Sequence, residues 1–227
     1  HQNDCAALVQ APDFLQLVAL SQLWRVQLNV VHLGAAIAAC GQRWQRALQL
    51  KKEFLTLGVQ PDVVVYGSLL KACRGAWEHA VLLLEEMGHQ RIQGDLICFN
   101  AALSALATGG QWQQSLMLLR HMELRDVVSY TAAISACGTA ARWHRAMDLL
   151  TEAETAGSVD ARCFNTSIAA CENASAWTIA LALLEEMAVR GGNVQHAAPS
   201  VVSFNSATSS AVGASAWQVA LLQEHLR

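Results

Sequence analysis

Charged residues are scarce in this chain, 15% of 227 against 53% hydrophobic, and only three are prolines. Disorder is thereby excluded, because a disordered chain needs low hydrophobicity and many charges. Long apolar runs are missing as well. No stretch approaches 18 uninterrupted apolar residues, so no membrane-spanning helix and no membrane partner is expected. Positive charge is not in excess: 15 Lys and Arg face 18 Asp and Glu, a net charge of −3. That excludes a strongly basic nucleic-acid clamp. The first residue is His1, with no charged segment leading into an apolar one. The chain reads as an internal piece, with any targeting segment outside it.

No C-x-x-C pair exists among the seven cysteines. Cys40, Cys73, Cys137 and Cys171 are separated by 33, 64 and 34 residues. Cysteine at one recurring register is a small apolar core residue sooner than a zinc ligand. Free thiols in a reducing compartment are the expectation.

What the sequence does contain is a repeat. Trp44, Trp77, Trp112, Trp143, Trp177 and Trp217 are spaced 33, 35, 31, 34 and 40 apart. Three residues after each comes Ala47, Ala80, Ser115, Ala146, Ala180 or Ala220. A second landmark lies upstream: Leu33, Tyr66, Phe99, Tyr130, Phe164 and Phe204. Before it stands a valine pair or its relative, as in Val63-Val64, Val127-Val128 and Val201-Val202. These landmarks define repeats at 30–62, 63–95, 96–126, 127–160, 161–200 and a truncated 201–227. Residues 1–29 hold a degenerate half repeat, one helix with Asp13 as N-cap before Phe14, Leu17, Val18 and Leu20. Gly191-Gly192-Asn193 marks an inserted loop in the fifth repeat.

Each repeat carries two helical periods. Tyr66, Leu70 and Cys73 form one stripe of a 3.6-residue period, as do Tyr130, Ile134 and Cys137. Trp77, Ala80, Leu84 and Met87 form the stripe of the second helix. Thr108-Gly109-Gly110 and Cys137-Gly138-Thr139 read as the short turns between them. A hairpin this small cannot bury its own apolar faces, so neighbours must stack. The expected fold is an all-α solenoid of antiparallel helix hairpins, of a handedness the pattern does not fix.

These residues resemble pentatricopeptide repeats. The resemblance rests on the aromatic followed by Asn or Thr, on Glu85-Glu86-Met87 and Glu185-Glu186-Met187, and on Val59-Gln60-Pro61-Asp62. The Trp that opens the second helix is not the usual family residue. Tetratricopeptide repeats share the period, but they want Trp early in the first helix.

The resemblance implies single-stranded RNA as partner, read at one base per repeat. It implies reading pairs Gly34 with Asp62, Gly67 with Asp95, Asn100 with Asp126, Thr131 with Asp160, and Asn165 with Ser200; Asn205 lacks its partner. By resemblance Asn with Asp takes uracil, Thr with Asp guanine, and Asn with Ser cytosine. Base-stacking positions would be Val31, Val64, Ile97, Val128 and Val202, with Arg162 in the remaining place. A role in organellar RNA processing, stability or translation, in a mitochondrion or chloroplast, would be typical, alongside other proteins of an RNA-processing complex.

The residues also have plainer readings. Each Asp precedes a helix and is an N-cap candidate, and the valines are candidates for first-turn packing. The family's positive charge near the end of the first helix is mostly absent: Thr108, Thr139, Asn173 and Gly213 stand there, and only Arg74 supplies a phosphate contact. Ten of the eleven Glu are expected on second helices, away from the RNA. Glu85-Glu86 and Glu185-Glu186 read as solvated helix faces. His79, His121 and His144 have no recurring ligand partner, and no phosphate loop or nucleophile elbow occurs. No enzyme and no cofactor are expected. The alternatives are a protein-binding helical scaffold and an accessory module of a larger RNA-processing enzyme.

Overall fold

Asp62, Asp95, Asp126 and Asp160 each turn a backbone donor toward themselves and start a helix. Their Oδ1 atoms accept from the N–H of Val65 at 2.9 Å, Cys98 at 2.8 Å, Ser129 at 2.8 Å and Cys163 at 3.2 Å. Each cap satisfies an N–H that has no partner inside its helix and is worth about 1 kcal/mol. The computed structural model describes residues 29–174, 176–191 and 201–213. The half repeat around Asp13, the loop residues Gly192 and Asn193, Ser200, the Val202 side chain and Trp217 lie outside the described residues.

Helices alternate in two kinds. The first helices are α1 (Val30–Ala39), α3 (Val63–Ala72), α5 (Leu96–Thr108), α7 (Val127–Thr139), α9 (Ala161–Asn173) and α11 (Val201–Gly213). The second helices are α2 (Trp44–Thr56), α4 (Trp77–His89), α6 (Trp112–His121), α8 (Trp143–Thr155) and α10 (Trp177–Gly191). No strand occurs among the described residues. The architecture is an all-α solenoid of stacked antiparallel hairpins. The chain divides into two compact units, with the boundary inside α5 after Ala105.

Within the first unit, α1 packs on α3 and both lean on their second helices. Within the second, α7 packs on α9 and α9 on α11. The landmark aromatics fill these seams: Tyr66, Tyr130 and Phe164 are buried, with Ile134, Ile168, Leu69 and Leu70 around them. In α4 the inward stripe is Ala80, Leu83 and Met87, so Leu83 takes the buried place expected for Leu84, which is half-buried, whereas in α10 both Leu183 and Leu184 are buried. Trp44, Trp77, Trp112, Trp143 and Trp177 each sit half-buried at the start of a second helix. The Trp44 ring lies 4.1 Å from that of His79, and the Arg142 guanidinium lies 5.6 Å above Trp112.

Two of the expected turns begin later than their residues suggest. Thr108, Gly138 and Thr139 belong to helices, not turns. Gly138 is buried, and a Cβ built there would stand 2.9 Å from Cβ of Ala170 on α9. Its lack of a side chain serves the close approach of α7 and α9. The left-handed residue of that turn is instead Ala141, at φ 54°, where the preceding repeat uses Gly110 at φ 64°. Holding an L-residue there costs about 1–2 kcal/mol, less the extra entropy glycine loses on folding. Ala141→Gly should therefore stabilise the chain by about 0.5–1 kcal/mol, read as a higher urea midpoint. An unchanged or lower midpoint would count against the strain.

Two charge readings also change. Glu86 is no mere solvated face: Lys51, buried on α2, pairs with its Oε2, and Tyr66 donates to its Oε1 at 2.9 Å. A buried ammonium needs such a partner. Glu123 follows the end of α6, and Glu172 lies at the end of the first helix α9, so neither belongs to a second helix. Among the described residues six cysteines are buried and none is in a disulfide, and burial pushes the thiols of Cys73, Cys137 and Cys171 up to about 11 and that of Cys98 to about 12.

Candidate functional site

The first turns of the first helices present a repeated arrangement. The second residue of each helix projects outward: Val31 is 72% exposed, Val64 66%, Ile97 54% and Val128 41%. Packing in the first turn does not account for them, because a packed valine would be buried. Arg162 occupies the same place on α9, and its Nε donates to Asp160 Oδ2 at 2.8 Å. Asp160 Oδ1 accepts from the N–H of Arg162 at 2.8 Å, so both of its oxygens are engaged.

The third residue points the opposite way. Val65, Cys98, Ser129, Cys163 and Ser203 are all buried. Each receives its helix cap from the Asp before it, where that Asp is present. Each of four also meets the fifth residue of the preceding first helix. Val65 Cγ2 lies 3.8 Å from where Gly34 would carry a Cβ, and Cys98 Sγ 3.5 Å from the same point on Gly67. Cys163 Sγ is 3.3 Å from Thr131 Oγ1, and Ser203 Oγ donates to Asn165 Oδ1 at 2.5 Å. Three of the expected pairs therefore converge on one bridging residue: Gly34 and Asp62 on Val65, Gly67 and Asp95 on Cys98, Thr131 and Asp160 on Cys163. Asn165 is bridged by Ser203, whereas Ser200 lies outside the described residues. Asn100 is half-buried and Asn205 exposed.

Sequence periodicity missed the bridging residue, because Val, Cys and Ser share no chemistry. Their common signal is small size two residues after the helix start.

A pentatricopeptide repeat domain model matches residues 49–108, and a repeat model of the same family matches residues 128–158. The crystal structure of the pentatricopeptide repeat protein PPR10 from maize superposes with a TM-score of 0.69 at 24% identity, over 91% of this chain and 30% of that one. Residues 49–108 and 128–158 match pentatricopeptide repeats. A second structure, PPR10 in complex with an 18-nt psaJ RNA element, matches at TM-score 0.64 and 21% identity, over 98% of this chain and 32% of that one. The chain thus spans about a third of the length of the solved proteins it matches. No curated protein matches it.

The far ends of the first helices explain part of the missing charge. The Thr139 hydroxyl stands 3.0 Å from the Ala107 carbonyl and shares its proton with the Ser135 and Ala136 carbonyls of its own helix, and Asn173 Nδ2 donates to the Gly138 carbonyl at 3.1 Å. Both tie the end of one first helix to the end of the next, satisfying carbonyls that the helix leaves open. A lysine reaching for solvent could not make these bonds. Arg74 is exposed in a 3-10 turn, Cys73–Gly75, after α3. No helix of the described residues is long and apolar enough to cross a membrane.

Proposed function

We propose that this chain binds single-stranded RNA sequence-selectively, one base per repeat, along the first turns of its first helices. The repeats would be 30–62, 63–95, 96–126, 127–160, 161–200 and 201–227. The observation that carries the reading is a recurring placement: an outward second residue, aliphatic at Val31, Val64, Ile97 and Val128, and a buried third residue that meets the fifth residue of the preceding first helix, which is polar at Thr131 and Asn165. An exposed aliphatic beside a polar pair suits a base, whose faces are apolar and whose edges hydrogen-bond. PPR10, of the same fold, is described in complex with RNA. Asn100 with Asp126 would take uracil, Thr131 with Asp160 guanine, and Asn165 with Ser200 cytosine, which gives a core of 5′-U-G-C-3′. Val31, Val64, Ile97, Val128 and Val202 would stack on bases, and Arg162 would do so by its guanidinium plane. The chain would act without catalysis of its own and without a cofactor, in organellar RNA processing, stability or translation.

A binding screen against randomised single-stranded RNA tests this. Enrichment of a core containing U-G-C supports the reading. With a net charge of −3 and Arg74 as the main phosphate contact, affinity should be modest. The salt slope should be shallow, equivalent to about two or three released counterions. Single-stranded RNA should bind better than duplex DNA, since bases must be splayed to be read. No binding at low salt would return the chain to the scaffold reading.

A further inference from the structure

Resting on that reading, we infer that the buried Ser203, third residue of α11, sets the hydrogen-bonding polarity of the reading residue Asn165 on the preceding first helix. The inference starts from proton counting. A hydroxyl has one proton, and a side-chain amide has an acceptor end and a donor end. Thr131 Oγ1 donates its proton to the Val127 carbonyl at 2.6 Å. Cys163 Sγ stands 3.3 Å from the same oxygen and 3.9 Å from the Val127 carbonyl, so the one Thr131 proton is spent within this cluster and acceptor capacity is what remains on that oxygen. Thr131 therefore offers lone pairs to a ligand.

Asn165 is set the other way. Ser203 Oγ, wholly buried, donates to Asn165 Oδ1 at 2.5 Å. The acceptor end of the amide is taken up by the next hairpin, and Nδ2 with its two protons is the end turned from Ser203. The terminal torsion of an amide is broad and nearly two-fold, so nothing within Asn165 itself selects this orientation. Ser203 selects it. A residue held as acceptor suits a base edge with donors, as guanine has at N1 and N2. A residue held as donor suits an edge with acceptors, as cytosine has at O2 and N3. Two neighbouring repeats thereby read opposite polarities: the Val127 carbonyl of its own helix fixes Thr131 as acceptor, and Ser203 of the following helix fixes Asn165 as donor. Ser203 is a positioning residue, since the inference has it act only through Asn165.

The test uses the whole chain and four RNAs carrying a U-G-C core with the third base varied. Wild type should favour C over G there by about tenfold. Ser203→Ala should bring that ratio within about twofold, because the amide is free to flip, while preference at the middle base stays as in wild type. Ser203→Cys copies the donor present at Cys163 and should recover most of the preference. Thermal melts identify any variant that does not fold. If Ser203→Ala fails to fold, Ser203→Cys decides alone: wild-type preference supports the inference and levelled preference overturns it. Folded Ser203→Ala with an undiminished C preference overturns the inference and leaves RNA binding standing. Ser203→Cys as level as Ser203→Ala overturns it too. Wild type that binds none of the RNAs overturns the proposed function, and this inference with it.

Discussion

Gly138→Val should destabilise the chain by about 3 kcal/mol, enough to shift a urea midpoint by more than 1 M. The reason is a backbone, not a flexible neighbour. A Cβ at position 138 would stand 2.9 Å from Ala170 Cβ and 3.1 Å from Ala170 Cα. Neither atom can rotate away, so α7 and α9 must separate, and valine adds two further methyl groups. Separation also breaks the bond from Asn173 Nδ2 to the Gly138 carbonyl, 3.1 Å in the native chain. Gly88→Ala is the control. It lies in helix α4 with nothing within 4 Å of its Cβ position. Helix propensity favours alanine there by up to about 1 kcal/mol. Equal midpoints for wild type and Gly138→Val would show that the two first helices are not held at this distance.

Thr131→Asn should move the middle base of the core from G toward U, a change of about 1–3 kcal/mol in relative affinity. The substitution exchanges an oxygen held as acceptor for an amide with a donor end. Asp160 keeps its backbone bonds to Arg162 and Cys163, so its helix cap is retained. Stability should move little, because Thr131 is only half-buried. Titration of wild type and variant against U-G-C and U-U-C oligonucleotides reads the effect. If both proteins bind both RNAs alike, the recurring Asp residues serve as helix caps alone.

The Asp caps were legible in the sequence because capping is local. Asp62 and the Val65 N–H it binds are three residues apart, and that spacing can be read from a linear string. The same holds for the stripe of Tyr130, Ile134 and Cys137, all buried as the period requires. Gly138 misled for the same reason. Close to the end of a helical stripe a glycine looks like a turn, and only Ala170, 32 positions away, explains it.

Helix periods and caps were settled by the sequence itself, since each depends on residues within about one turn of one another, and the hairpin repeat was legible because its Trp and aromatic landmarks recur in register. The tertiary structure decided which polar atoms are already taken. Lys51 with Glu86, Thr139 with Ala107, Asn165 with Ser203 and Cys163 with Thr131 each join residues more than 30 positions apart. No periodicity encodes such pairs. They exist because stacked hairpins bring the same positions of successive repeats together, and a buried donor or acceptor must find its partner across that seam.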